Sequence, residues 1–141
     1  MQKRKKNLFA VLAFVIFLYG CGENVAEKNK TADNTEKETA YMTITAEEAK
    51  EFMDSTEDYV LLDVREEDEF AEGHLEGAIL IPYESIEERA EEELPDKQQT
   101  ILVYCRSGRR SAIAAESLAN LGYEDVRDFG GILDWPYEVT R

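Results

Sequence analysis

Three short apolar segments separated by helix-like segments constrain most strongly what this 141-residue chain can fold into. They read YVLLDV at 59–64, AILIP at 78–82 and TILVYC at 100–105. Uninterrupted apolar runs of this length are typical of strands that are covered on both faces. Strands that alternate with helices and short connections favour a parallel sheet flanked by helices. We therefore predict one α/β domain over residues 43–141.

Weaker signals complete the predicted order of elements. Thr45 and Glu48 have the spacing of a capping box at the start of one helix, and Gly122 is the expected stop of another. The remaining predicted elements are a strand at 42–45, helices at 46–54, 84–94 and 111–121, a strand at 124–129, and a short helix after the turn in 130–135.

The first 20 residues have the pattern of a signal peptide. A basic start is followed by an apolar run from Leu8 to Leu18, shorter than the roughly 20 residues needed to span a bilayer. The sequence LYGC puts Cys21 directly after a small residue, and it resembles the lipobox of bacterial lipoproteins, in which that cysteine is lipidated. An ordinary signal peptide with an incidental cysteine is the alternative.

The segment that follows is polar, charged and poor in large apolar residues. Such a composition cannot bury enough apolar surface to offset the entropy of the chain, so we predict a disordered tether over 21–42. A lipid on Cys21 would then hold the domain at the extracytoplasmic face of a bacterial membrane.

Composition excludes several partners. The formal net charge is −15, whereas nucleic-acid binding needs a basic face, so no nucleic-acid partner is expected. With Cys21 lipidated, one histidine and one remaining cysteine are too few for a structural zinc site, and we predict no metal site. If Cys21 is lipidated, Cys105 is the only free thiol, and no disulfide can form within the domain.

The segment CRSGRRS at 105–111 carries the candidate chemistry. Cys105 ends an apolar run, three of the next five residues are arginines, and a helix is predicted from Ser111. In such a six-residue loop the backbone N–H groups point inward, and the helix adds its positive end. Together with the arginine charges they would stabilise a thiolate, so we predict a lowered pKa for Cys105. Gly108 provides the positive φ that so tight a loop requires.

This segment resembles the active-site loop of rhodanese-type sulfurtransferases. LLDVREEDEFAEGHLEGAILIP at 61–82 and GGILDW at 130–135 are similar to that family too, in the family's order. The resemblance implies a rhodanese-like fold, with a five-stranded, mostly parallel sheet and helices on both faces. It also implies that Cys105 takes a sulfane sulfur from a small anionic donor such as thiosulfate. The resulting persulfide would hand its sulfur to a thiophilic acceptor such as a thiol or a protein, without a cofactor.

The resemblance also implies roles for individual residues. Asp63 resembles the family aspartate that pairs with a loop arginine, and Arg106 is its expected partner. Arg65 and Ser111 are expected to support the loop, with Arg65 anchoring local structure rather than touching substrate. The backbone amides expected to hold the persulfide are those of Arg106, Ser107, Gly108, Arg109 and Arg110. Two further expectations are that His74 belongs to a structural turn and that Trp135 packs in the core.

One region departs from the family pattern. The two-domain thiosulfate enzymes have an arginine there that helps to hold the sulfonate group, whereas this chain has Glu67, Asp68 and Glu69. Arg109 or Arg110 is the candidate replacement, and thiosulfate as the natural donor is in doubt.

Two other functions remain open on the sequence. A cysteine phosphatase needs a Cys-X5-Arg loop, but the sixth residue after Cys105 is Ser111, so the loop is one residue short. An exported persulfide or redox relay, or a docking module, would act with a partner protein, because the domain has no second thiol.

Overall fold

The computed structural model describes residues 40–141, which form a five-stranded sheet with helices on both faces. The strands are β1 (Met42–Thr43), β2 (Tyr59–Asp63), β3 (Ile79–Leu80), β4 (Thr100–Cys105) and β5 (Val126–Gly131). Their order is β1-β5-β4-β2-β3, and every neighbouring pair is parallel. The predicted fold class is confirmed, with a sheet that is wholly rather than mostly parallel.

Four α-helices connect the strands. They are α1 (Ala46–Ser55), α2 (Glu67–Glu72), α3 (Ile86–Glu93) and α4 (Arg109–Asn120). The predicted capping box of α1 is present, since the Glu48 amide donates to Thr45 Oγ1 at 3.1 Å and the Thr45 amide donates to Glu48 Oε2 at 2.8 Å. No helix within residues 40–141 is long and apolar enough to cross a membrane.

The two faces of the sheet have separate cores. Along β4, Ile101, Val103 and Cys105 face the side covered by α3 and α4, whereas Leu102 and Tyr104 face the side covered by α1. This alternation follows from the period of two in a strand. All five side chains are buried, as the uninterrupted apolar run predicted.

Several element boundaries differ from the prediction. Met42 pairs with Arg127 in the sheet, and Tyr41 packs against the core, so the folded part includes two residues assigned to the tether. The segment 83–85 forms a 3-10 turn before α3. β5 extends to Gly131, two residues beyond its predicted end. The predicted signal peptide at 1–20, Cys21 and the tether up to residue 39 lie outside the described residues.

The carboxyl ends of β4 and β5 approach each other closely. Their pairing is regular to Val103, is interrupted there, and resumes between Cys105 and Gly131. A Cβ at residue 131 would lie only 2.3 Å from the Arg106 carbonyl oxygen and 2.6 Å from Ser107 Cα. Only glycine fits at this position, because any side chain would overlap the backbone of the cysteine loop.

Replacing Gly131 by alanine is therefore expected to displace the cysteine loop. We expect Gly131→Ala to lower the free energy of unfolding by about 2 kcal/mol or more in urea denaturation, and to change the reactivity of Cys105 toward alkylation. Gly77→Ala is the matched control, since its Cβ would meet nothing within 4 Å but its φ is +81°. That variant should cost about 1–2 kcal/mol and leave Cys105 unaffected. Unchanged reactivity in Gly131→Ala would contradict the importance of the close approach.

Candidate active site

Cys105 is the last residue of β4 and is completely buried. The Gly108 amide donates a hydrogen bond to its sulfur over 3.1 Å. The Cys105 thiol lies 3.6 Å from Ser111 Oγ, to which it donates, and the Ser111 hydroxyl donates to the Gly108 carbonyl at 3.0 Å. Asp63 ends β2 at the same edge of the sheet, because carboxyl ends of parallel strands share one edge.

The surroundings lower the pKa of the Cys105 thiol. Burial is the largest influence and raises this pKa, since it disfavours a charged sulfur. The hydrogen bond with the Ser111 side chain and those from the backbone amides of Ser111, Gly108 and Ser107 outweigh it. The predicted direction of the shift is confirmed, and neutral donors produce most of it.

The cysteine loop is shorter than predicted. α4 begins at Arg109 rather than at Ser111, and Gly108 is its N-cap with φ +98°. The loop therefore spans 106–108, and Arg109, Arg110 and Ser111 occupy the first turn of the helix. The positive φ predicted for Gly108 is confirmed. Unpaired amides of a first helical turn point out of its N-terminus, which explains why the Ser111 amide reaches the sulfur.

Asp63 pairs with Arg65, so the predicted pair with Arg106 is wrong. Nη2 of Arg65 lies 2.6 Å from Asp63 Oδ2, Nε lies 3.0 Å from both carboxylate oxygens, and the Arg65 amide donates to Oδ1 at 3.0 Å. Nη2 also donates to the Gly73 carbonyl at 2.7 Å. An arginine two residues away satisfies the buried carboxylate locally, and the expected structural role of Arg65 is confirmed. The Arg106 side chain is exposed instead.

Arg110 makes an ion pair that the sequence analysis did not identify. Its Nη1 and Nη2 donate to the Glu69 carboxylate over 2.6 and 2.8 Å, joining α4 to α2. Arg110 lowers the pKa of Glu69 to about 2, with burial acting in the opposite direction. Arg110 is thus engaged and cannot replace the missing family arginine as a free cation. Arg109, which is exposed, remains the candidate.

A cleft of about 310 Å³ lies beside the loop. Its lining combines the acidic residues Glu69 and Glu72 with Arg106 and the apolar residues Ile132 and Leu133. Leu133 is 64% exposed and gives the cleft an apolar rim. Of the cysteine loop, Arg106 is the residue that lines this cleft.

Asp128 is a second residue that sequence reasoning missed. It is 5% exposed, and its Oδ1 accepts a hydrogen bond from the Gly130 amide over 3.0 Å. Burial raises the pKa of Asp128, while hydrogen bonds from Ser111 and from the Gly130 amide act against the shift. The feature of the sequence that could have identified Asp128 is its position in a buried strand, shortly before two glycines. The carboxyl group supports the turn on which the cysteine loop rests.

His74 and Trp135 have the structural positions that were predicted. His74 Nδ1 donates to the Phe70 carbonyl at 2.9 Å, its ring stacks on Phe70, and its backbone pairs with Thr140. Trp135 packs against Phe129 in the core on the α1 side of the sheet. Among residues 40–141, no group of three or more potential metal ligands is found.

The family model for the rhodanese-like domain matches residues 45–137. The chain belongs to the rhodanese-like domain family. It is 41% identical over 73 residues to the thiosulfate sulfurtransferase PspE of Escherichia coli, covering 52% of this chain and 70% of PspE. It is 36% identical over 90 residues to the putative sulfurtransferase YtwF of Bacillus subtilis, covering 64% of this chain and 85% of YtwF.

A solved structure agrees with this relationship. A rhodanese with anions from Escherichia coli superimposes with a TM-score of 0.56 and 36% identity, over 59% of this chain and 98% of that one. These relatives support a rhodanese-type sulfurtransferase, and with it an activity that transfers sulfur from a donor to an acceptor.

Removal of the Ser111 hydroxyl should raise the pKa of Cys105. Since only the thiolate is nucleophilic, the acid limb of reactivity should move to higher pH in Ser111→Ala. The ultraviolet absorbance of the thiolate, titrated in a Cys21→Ser background, measures this shift directly. Ser117→Ala, on the same helix, is the matched control and should titrate like the parent chain. A titration unchanged by Ser111→Ala would contradict the role of the hydroxyl.

Proposed function

We propose that Cys105 carries the transferred sulfur as a persulfide. The observation that supports this most directly is the buried sulfur at the end of β4, surrounded by the amides of 107, 108 and 111. Donors held in this way stabilise a negative charge on sulfur without any need to reorganise. The same donors suit the terminal sulfur of a persulfide, which is also an anion.

The reaction has two steps, written here with thiosulfate and cyanide. The Cys105 thiolate attacks the outer sulfur of thiosulfate, a bond forms between the two sulfurs, and sulfite leaves with the electron pair of the broken S–S bond. Cyanide then attacks the outer sulfur of the persulfide, giving thiocyanate and regenerating the thiolate. Thiosulfate is suggested by the name of the relative PspE. The natural acceptor is a thiol or a protein group.

In this proposal the residues of the cysteine loop and its surroundings have different roles. The amides of Ser107, Gly108 and Ser111 contact the sulfur, and those of Arg106, Arg109 and Arg110 complete the set proposed to hold the persulfide. The exposed side chains of Arg106 and Arg109 attract an anionic donor. Ser111 supports the loop from the first turn of α4, and the Asp63–Arg65 pair fixes the neighbouring strand end. The position of Arg110 does not favour the phosphatase alternative, because its guanidinium group is paired with the Glu69 carboxylate.

With Cys21 lipidated, the acceptor is another molecule. Cys105 is the only cysteine among residues 40–141, so no second thiol of the domain can resolve the persulfide. We further propose that the domain works at the extracytoplasmic face of a membrane, anchored by lipid on Cys21. This rests on the sequence around Cys21 and on the polar tether that follows it.

Loading with sulfur tests the main proposal. Incubation of the full-length chain with thiosulfate should increase its intact mass by one sulfur atom, and cyanide should remove it as thiocyanate. Cys105→Ser should abolish loading and lower thiocyanate formation by at least about 10³-fold, whereas Cys21→Ser should load normally. Release of phosphate from an aryl phosphate without any loading would instead favour the phosphatase.

Lipid attachment requires a separate experiment. The chain, expressed in a bacterium supplied with labelled palmitate, should incorporate label and sediment with membranes. Cys21→Ser should lose both properties, and Cys105→Ser should keep both. Membrane association that persists in Cys21→Ser would contradict the lipid anchor.

A further inference from the structure

We propose that Glu69 determines which donor charge the sulfur site accepts, and that it favours singly charged sulfane sulfur donors over dianions. The inference rests on the proposed role of Cys105 as the sulfur carrier. It concerns a residue on α2, which is distant in sequence from the cysteine loop.

The Glu69 carboxylate is held in place from two directions. Both of its oxygens accept hydrogen bonds from Arg110, and Oε2 also accepts from the Glu66 amide at 3.2 Å. The side chains of Arg110 and Glu69 are only 16% and 23% exposed, so water screens them incompletely. The carboxylate is therefore a fixed negative charge beside the first turn of α4.

The Glu69 carboxylate is linked to the cysteine loop through Arg110, which lies in the first turn of α4 directly after that loop. The charges of Arg110 and of the Cys105 thiolate interact, and Glu69 is in direct contact with Arg110. Because Glu69 cancels the charge of Arg110, the pair offers little net attraction to an anion approaching the loop. Without the carboxylate, Arg110 would be a third attractive cation next to Arg106 and Arg109.

The other charges of the cleft increase this discrimination. Arg65 is bonded to Asp63, and Glu72 adds a further negative charge to the lining that it shares with Glu69. Coulomb energy is proportional to charge, so a dianion loses twice as much attraction as a monoanion when Arg110 is neutralised. Ile132 and the exposed Leu133 provide an apolar surface that suits the organic part of a singly charged donor.

The test compares two donors across charge variants. Thiosulfate is a dianion, whereas benzenethiosulfonate is a monoanion that gives the same persulfide and releases benzenesulfinate. Glu69→Gln keeps a group that can accept hydrogen bonds from Arg110 but removes the charge. We expect it to raise kcat/KM about five- to tenfold for thiosulfate and about two- to threefold for benzenethiosulfonate. Both gains should shrink as salt is added.

Control variants separate donor selection from a structural effect. Glu67→Gln removes the same charge from an exposed position of α2 and should change either rate constant by less than about 1.5-fold. Arg110→Gln should lower kcat/KM for thiosulfate, because it leaves the negative charge of Glu69 unpaired. The double variant with Glu69→Gln and Arg110→Gln should have a kcat/KM for thiosulfate within about twofold of the parent value.

Two results would overturn the proposal. The first is a change in kcat/KM on Glu69→Gln that is the same for both donors. The second is a gain in kcat/KM for thiosulfate in Glu67→Gln as large as the gain in Glu69→Gln. If the parent chain and all variants load from neither donor, the sulfur transfer assigned to Cys105 fails, and this inference fails with it.

Discussion

The site depends on hydrogen bonds that keep a negative sulfur stable inside the protein. A wholly buried thiolate is unfavourable unless donors replace the water that it loses. Here the Gly108 amide and the Ser111 hydroxyl lie within hydrogen-bonding distance of Cys105 Sγ, and the pKa of Cys105 is lowered despite its burial. Activation of the cysteine is thus a property of backbone geometry more than of the three arginines.

That geometry is set by packing beneath the loop. Gly131 lets the end of β5 lie against the backbone of Arg106 and Ser107, and Asp128 supports the turn that precedes it. The Leu133 amide donates to the Arg106 carbonyl at 3.2 Å, which ties the segment after β5 to the loop. The loop is therefore fixed by contacts from outside itself. A similar stretch of sequence in another fold would not hold the sulfur in this way.

Sequence patterns predicted the sheet better than the contacts of charged side chains. β2 and β4 followed from their apolar runs, the start of α1 from a capping box, and the conformation of Gly108 from the tightness of the loop. The start of α4 was missed because a glycine N-cap has no side chain to signal it. The choice of Arg65 over Arg106 as the partner of Asp63 depends on side-chain direction at a buried strand end. The pair between Glu69 and Arg110 spans 41 residues and produces no local pattern.

The hydrogen-bond donors around Cys105 are neutral, whereas the charged side chains of Glu69 and Arg110 are paired with each other, and this difference has a functional consequence. Amides stabilise one negative charge where they touch it but attract little from a distance, because their dipoles fall off faster than a full charge. Attraction of the donor therefore depends on the net charge around the loop, in a chain whose formal charge is −15. That net charge can change through Glu69 and Arg110 while the hydrogen bonds to Cys105 stay the same. Under the proposed role of Glu69, donor selection and cysteine activation are therefore separable in this chain.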